Sequence, residues 1–154
     1  MRRTLGTLLL LPLLLGLLVG CGDETQPGTE PSSTPPDYEV LAILSKTAAG
    51  GTVSPTLTPL PGPGELAAFT EQFDNGEFRE EITLAVQDHE AREGYVVGAA
   101  VVAIGCDVPP GVSVVATDDG FEVHADKVVE PLKECFAPVT SVAVIEVPQS
   151  QGAR

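Results

Sequence analysis

YVVGAAVVAI, residues Tyr95–Ile104, is a run of ten residues without a single charge or amide side chain. A strand with one wet face alternates apolar and polar residues. A strand apolar at both parities needs cover on both faces. The segment therefore predicts a central strand, and the fold is read outward from it. VTSVAVIEV, Val139–Val147, is again largely apolar and predicts a final strand. On the N-terminal side, YEVLAILS (Tyr38–Ser45) predicts a first strand. Tyr38, Val40, Ala42 and Leu44 fall on one face of it, Glu39 and Ile43 on the other, so it too is expected to be flanked on both sides. Val112–Ala116 and Phe121–His124 enclose Thr117-Asp118-Asp119-Gly120, a hairpin loop in which Gly supplies the positive φ. Eighteen valines after residue 20 favour this pleated reading, because their branched Cβ packs well on a sheet.

Two stretches carry helical spacing. Leu66, Phe69 and Phe73 recur at the helical period within Glu65–Phe73, after Pro63-Gly64, and Asp74-Asn75-Gly76 breaks the run. Glu77–His89 satisfies two periods. Phe78, Ile82, Ala85 and Val86 form a helical stripe, with Asp74 as N-cap and Glu77 three residues on, and with Arg92 and Gly94 at the far end. Phe78, Ile82, Leu84 and Val86 also fit a period of two. The helix is preferred. Lys46–Gly64, with Pro55, Pro59, Pro61 and Pro63, predicts a loop or polyproline-type segment lying over the domain. The expected fold class is α+β, a mostly antiparallel sheet with one or two covering helices and one disulfide. A β-sandwich is the alternative.

The N-terminus carries a different kind of message. Arg2-Arg3 precede a Leu-rich run over Thr4–Val19, about the length of a signal-peptide core and short for a span of roughly 20 residues. The run ends in Leu18-Val19-Gly20-Cys21, which resembles the lipobox of bacterial lipoproteins. The resemblance implies diacylglyceryl transfer to the Cys21 thiol, cleavage before it, and a lipid-anchored protein on the extracytoplasmic side of the cell membrane. Gly22–Pro36 (GDETQPGTEPSSTPP) has no aliphatic or aromatic residue, a composition that cannot bury enough surface to offset chain entropy. As a flexible spacer of some 15 residues it would stand the domain off by about 20 Å. The expected organisation is a signal peptide over 1–20, lipidated Cys21 and tether over 21–37, one extracytoplasmic domain over 38–148, and a short C-terminal tail over 149–154.

Once residues 1–20 are removed, six basic residues face 22 acidic ones, a formal charge of −16. Nucleic acid is excluded as a partner, since its binding relies on Lys and Arg neutralising phosphates. With Cys21 lipidated, Cys106 and Cys135 remain. An even residue of cysteines outside the cytoplasm predicts a disulfide, whose loop of about 30 residues is worth roughly 3–4 kcal/mol in chain entropy. The competing reading, a metal held by both thiols with His89 and His124, matches no zinc-ligand spacing. No C-x-x-C, G-x-S-x-G, P-loop, G-x-G-x-x-G or EF-hand pattern occurs. His89, in Gln87-Asp88-His89-Glu90, and His124, at a strand end, read as surface residues, and Asp107 as a loop residue.

Two weaker likenesses concern the domain itself. Gly105-Cys106-Asp107-Val108-Pro109-Pro110 with Glu134-Cys135-Phe136-Ala137-Pro138-Val139-Thr140 resembles a small lipoprotein family to which no function is attached. Over residues 94–148, the Gly94-Tyr95 strand opening and the Cys-x-x-Pro-x-Thr segment before a Val-rich strand resemble C-terminal domains of protease-stabilising lipoproteins. Cys106 has no counterpart there, and no site residue is carried over. The sequence thus predicts no catalytic residue, no metal and no cofactor. The expected function is a non-enzymatic binding or interaction module anchored through Cys21, with an envelope protein as the conceivable partner. The alternative is an envelope hydrolase or redox accessory whose site leaves no motif.

Overall fold

The computed structural model describes residues 37–149; Leu18–Cys21, the tether up to residue 36 and the tail from residue 150 lie outside the described residues. Strands β1 (Glu39–Thr47), β2 (Thr58–Pro59), β3 (Tyr95–Gly105) and β6 (Val139–Pro148) form one antiparallel sheet in the order β1-β6-β3-β2. Helices α1 (Pro63–Thr70) and α2 (Gly76–Gln87) cover one face, and the hairpin of β4 (Val112–Thr117) and β5 (Gly120–Ala125) covers the other. The fold is α+β.

Two-sided cover follows from the composition of the central strands. Val97, Ala99 and Val101 of β3, with Val142 and Val144 of β6, pack with the helices, while Ala100, Val102, Ala143, Ile145 and Val147 pack with the hairpin. Strict alternation along each strand sends successive side chains into two separate cores. Gly98 lies on the hairpin side, where a Cβ would come within 2.9 Å of the Thr58 carbonyl oxygen and 2.8 Å of the Leu57 side chain. Its missing side chain lets the Pro-rich segment close on β3. That segment does lie over the domain, and it contributes the two-residue β2 as well. Leu57 N–H donates to the Phe121 carbonyl and Leu60 N–H to that of Val97, so one short stretch ties hairpin to sheet.

β1 departs from the expected alternation. A bulge between Val40 and Ala42 shifts its phase, so Tyr38 packs on the hairpin side while Leu41, Ala42 and Leu44 pack on the helical side. An extra residue in one strand displaces every side chain beyond it to the other face.

The ambiguous Glu77–His89 segment is helical as far as Gln87. Phe78, Ile82 and Val86 are buried at the i, i+4, i+8 spacing while Leu84, which only the two-residue period would bury, is half exposed. The N-cap is Asn75 rather than Asp74. Its side-chain oxygen accepts from Phe78 N–H at 2.9 Å, and Asp74 stands one position before it with its N–H bound to the Ala49 carbonyl. Glu77 and Glu81, one turn apart on α2, share Lys46 of β1 at 2.8 and 3.1 Å, which holds Lys46 above its ordinary pKa. Phe69, Phe73 and Phe78 meet edge to face, with centroids 5.8 and 5.2 Å apart, at the turn between the helices. In the hairpin, Gly120 adopts φ +139 beside the Asp118-Asp119 turn, as the TDDG motif requires. Cys106, just after β3, and Cys135, in the β5–β6 connection, are joined in a disulfide with Cα atoms 5.2 Å apart.

Candidate functional site

Where β3 begins, the chain builds a groove with a volume of about 530 Å³. Each wall has a local cause. β2 ends in Pro59, and Pro61-Gly62-Pro63 turns directly into α1, because Pro at the first helical position has no N–H to lose. This turn sets Leu60 and Leu66 against the sheet. On the opposite wall α2 stops at Gln87 with Asp88 as its C-cap, and the chain passes through His89–Glu93 into β3. Leu60, Leu66, Val86 and Val97 give an apolar floor; His89, Tyr95, Gln87 and Gln149 supply polar groups around it.

Beneath this end lies Glu146 of β6, fully buried between Ile145 and Val147. It shares the helix-facing side with Val142 and Val144 by strand parity. A carboxylate there demands partners, because an unpaired buried charge is very costly. The α2–β3 connection provides them. Glu146 Oε1 accepts from Arg92 N–H at 2.7 Å and lies 3.3 Å from His89 Nε2, while Oε2 accepts from Arg92 Nε–H at 2.6 Å. Burial by itself pushes the Glu146 pKa up. The hydrogen bonds from the Arg92 backbone, its guanidinium and His89 outweigh burial and hold the carboxyl below its ordinary 4.5. An ionised carboxylate can only accept, so the contact is a hydrogen bond in the tautomer whose Nε2 bears the hydrogen. Arg92, raised chiefly by its bond to Glu146, stacks 4.0 Å over the Tyr95 ring. The Tyr95 hydroxyl donates to Asp37 at 2.6 Å, which with burial raises its own pKa.

This arrangement positions an imidazole at a groove and neutralises the carboxylate behind it. In a hydrolase dyad the carboxylate keeps its charge for the imidazolium that forms during reaction. Here Arg92 already takes both Glu146 oxygens. Among the described residues, none that lines the groove is Ser, Thr or Cys. The chemistry on display is hydrogen bonding at the edge of an apolar surface.

Linkage makes the buried pair testable. A carboxyl with a lowered folded pKa stabilises fully above its ordinary value, and that contribution disappears as pH falls through the folded one. The window is thus below pH 4.5. Glu146→Gln should lower the urea midpoint at pH 7 and flatten the loss of stability below pH 4.5. An acid limb identical to the wild type would remove Glu146 from the groups that set it.

Of the residues singled out by sequence, His89 reaches the groove instead of standing as a plain surface residue. His124 remains at a strand end on β5, half exposed and 3.2 Å from Glu122. Asp107 accepts from Leu132 N–H at 3.0 Å. Cys106 and Cys135 are spent on each other, and among the described residues no three His, Cys, Asp or Glu side chains gather as metal ligands. Cys21 lies outside the described residues. Sequence reasoning missed Glu146, read as plain core, and Arg92, read as a helix-end complement. The signal was present in the lone carboxylate of VAVIEV. No helix among the described residues is long and apolar enough to cross a membrane. No family model, curated protein or solved structure matches the chain.

Proposed function

We propose that the chain is a membrane-anchored lipoprotein whose extracytoplasmic domain works as a non-enzymatic binding module. Anchoring is supported by Arg2-Arg3, the Leu-rich run and Leu18–Cys21. An oxidising address is supported by the Cys106–Cys135 disulfide, since such bonds persist outside the cytoplasm. The observation that carries the binding reading is the groove. Ligand sites are mostly apolar concavities of about 300–1,000 Å³ with a few placed polar groups, and this one fits on both counts. Its preferred ligand has an apolar body with one hydrogen-bonding end directed at His89 or Gln149.

The test takes the full chain from membranes in detergent. Cys21→Ala should move the protein from the detergent phase to the aqueous phase and abolish lipid mass. Nile red, a neutral apolar dye, should brighten on binding the wild type, and Gln87→Trp, at an exposed position on the groove's rim, should weaken that binding at least tenfold. Equal dye binding by both proteins would remove the groove as the site, and a lipid-bearing Cys21→Ala would remove the anchor. The hydrolase reading draws on the His89–Glu146 pair alone. Ester hydrolysis that His89→Ala abolishes in a folded protein would favour it over the binding module.

A further inference from the structure

The second unusual surface lies at the other end of β3. Asp126–Pro138 joins β5 to β6 without helix or strand, yet it is fastened along its length. Asp126 N–H donates to the Gly111 carbonyl, Leu132 N–H to Asp107, and the Pro138 carbonyl accepts from Ala48 N–H. The disulfide ties Cys135 to Cys106 at the end of β3. A loop held this firmly would be expected to turn its apolar side chains inward. Instead Phe136 is completely exposed, Val129 is 85% exposed and Leu132 is 61% exposed, with Val108 about half exposed beside Asp107. Single apolar residues on a surface are ordinary. These are not scattered: Asp107 joins the neighbourhoods of Val108 and Leu132, and the disulfide brings that of Phe136 to the same place.

We propose that this loop is a docking surface for a protein partner that presents an apolar cleft ringed by basic side chains. Phe136 is the anchor and Leu132 its neighbour. Exposed aromatic side chains on a fastened backbone are what interface hot spots use, because little backbone freedom remains to be lost. The charge around them sets the partner. Asp107, Asp126, Glu130 and Glu134 outnumber Lys127 and Lys133, within a chain whose formal charge is −14. An anionic membrane surface would be repelled, and so would a second copy of the same acidic patch. Within the domain, the loop lies far from Asp37, where the described chain begins: Asp37 is hydrogen-bonded to Tyr95 at the start of β3, whereas Cys106 follows the opposite end of that eleven-residue strand, about 33 Å away.

The probe is a fluorescein-labelled amphipathic helical peptide of Leu and Lys, titrated against the full chain in detergent and followed by anisotropy. The wild type should bind it and should not bind a Leu/Glu peptide of the same pattern. Leu132→Ala/Phe136→Ala preserves every charge and should weaken binding at least tenfold. Glu130→Lys/Glu134→Lys should weaken it by a similar factor with both apolar anchors in place. Gln87→Trp should leave it unchanged, which keeps failure of the groove distinct from failure of this surface. Equal affinity in the double-alanine variant would overturn the proposal. So would binding to anionic vesicles, or dimerisation in sedimentation, that disappears in that variant.

Discussion

Phe73→Ala is expected to destabilise the domain by about 4 kcal/mol, the largest effect of any single truncation considered for this chain. The ring is fully buried and stands between Phe69 and Phe78 in edge-to-face contact on both sides. Truncating a buried Phe typically costs 3–5 kcal/mol in lost transfer energy and unfilled cavity, and each aromatic pair adds roughly 0.5–1.5 kcal/mol to the area term. The site cannot collapse easily. Gly51, at φ +93, lies against the ring so closely that a Cβ there would come within 2.8 Å of it, and Asp74 N–H is bound to the Ala49 carbonyl next door. Urea denaturation reads the effect as a lower midpoint at unchanged slope. Leu84→Ala, at a half-exposed position on the same pair of helices, should cost well under about 1 kcal/mol. A Phe73→Ala loss as small as that would mean the helices do not depend on this cluster.

Replacing both bridged cysteines, Cys106→Ala/Cys135→Ala, is expected to cost about 3–4 kcal/mol. The bond spans a sequence separation of 29 residues, and the chain-entropy relation gives that magnitude for a loop of this length. For a small domain with a total stability of roughly 5–15 kcal/mol, the loss is a large fraction. Its local consequence should be distinct from that of Phe73→Ala. The loss of the disulfide leaves the Asp126–Pro138 loop with only its hydrogen bonds, so proteolysis should begin at Lys127 or Lys133 while the sheet is still intact. Phe73→Ala should instead expose the whole domain to cleavage at once. An unchanged denaturation midpoint for the double variant, with no new cleavage in the loop, would show that loop closure contributes nothing. The pair also separates stability from docking, because Leu132→Ala/Phe136→Ala leaves the disulfide in place and should leave the midpoint within about 0.5 kcal/mol of wild type.

Much of the architecture was legible in local patterns. Tyr95–Ile104 is apolar at both parities and Val139–Val147 largely so, and both became strands covered on two faces. TDDG specified its hairpin turn because only Gly adopts the required φ without strain. Parity of the cysteines, once Cys21 is set aside, indicated the Cys106–Cys135 bond, for which there was one possible pairing. These features are local or countable, so one dimension of information suffices.

What remained needed the third dimension. Glu77–Gln87 fits two periods, and only the packing of Phe78, Ile82 and Val86 against the sheet, with Leu84 left outside, selects the helix. The strand order β1-β6-β3-β2 depends on hydrogen bonds between residues far apart in the chain, which no local period encodes. The β1 bulge is invisible in a strand with hydrophobic residues at both parities, because either phase buries something. The candidate site is the extreme case. Glu146 and Arg92 are 54 residues apart, and each alone looks out of place: a charge in a core strand and a cation past a helix end. The α2–β3 connection that neutralises the carboxylate also carries His89 and Ala91 to the wall of the groove. Burial sets the need for a partner, and the topology alone decides which residue meets it.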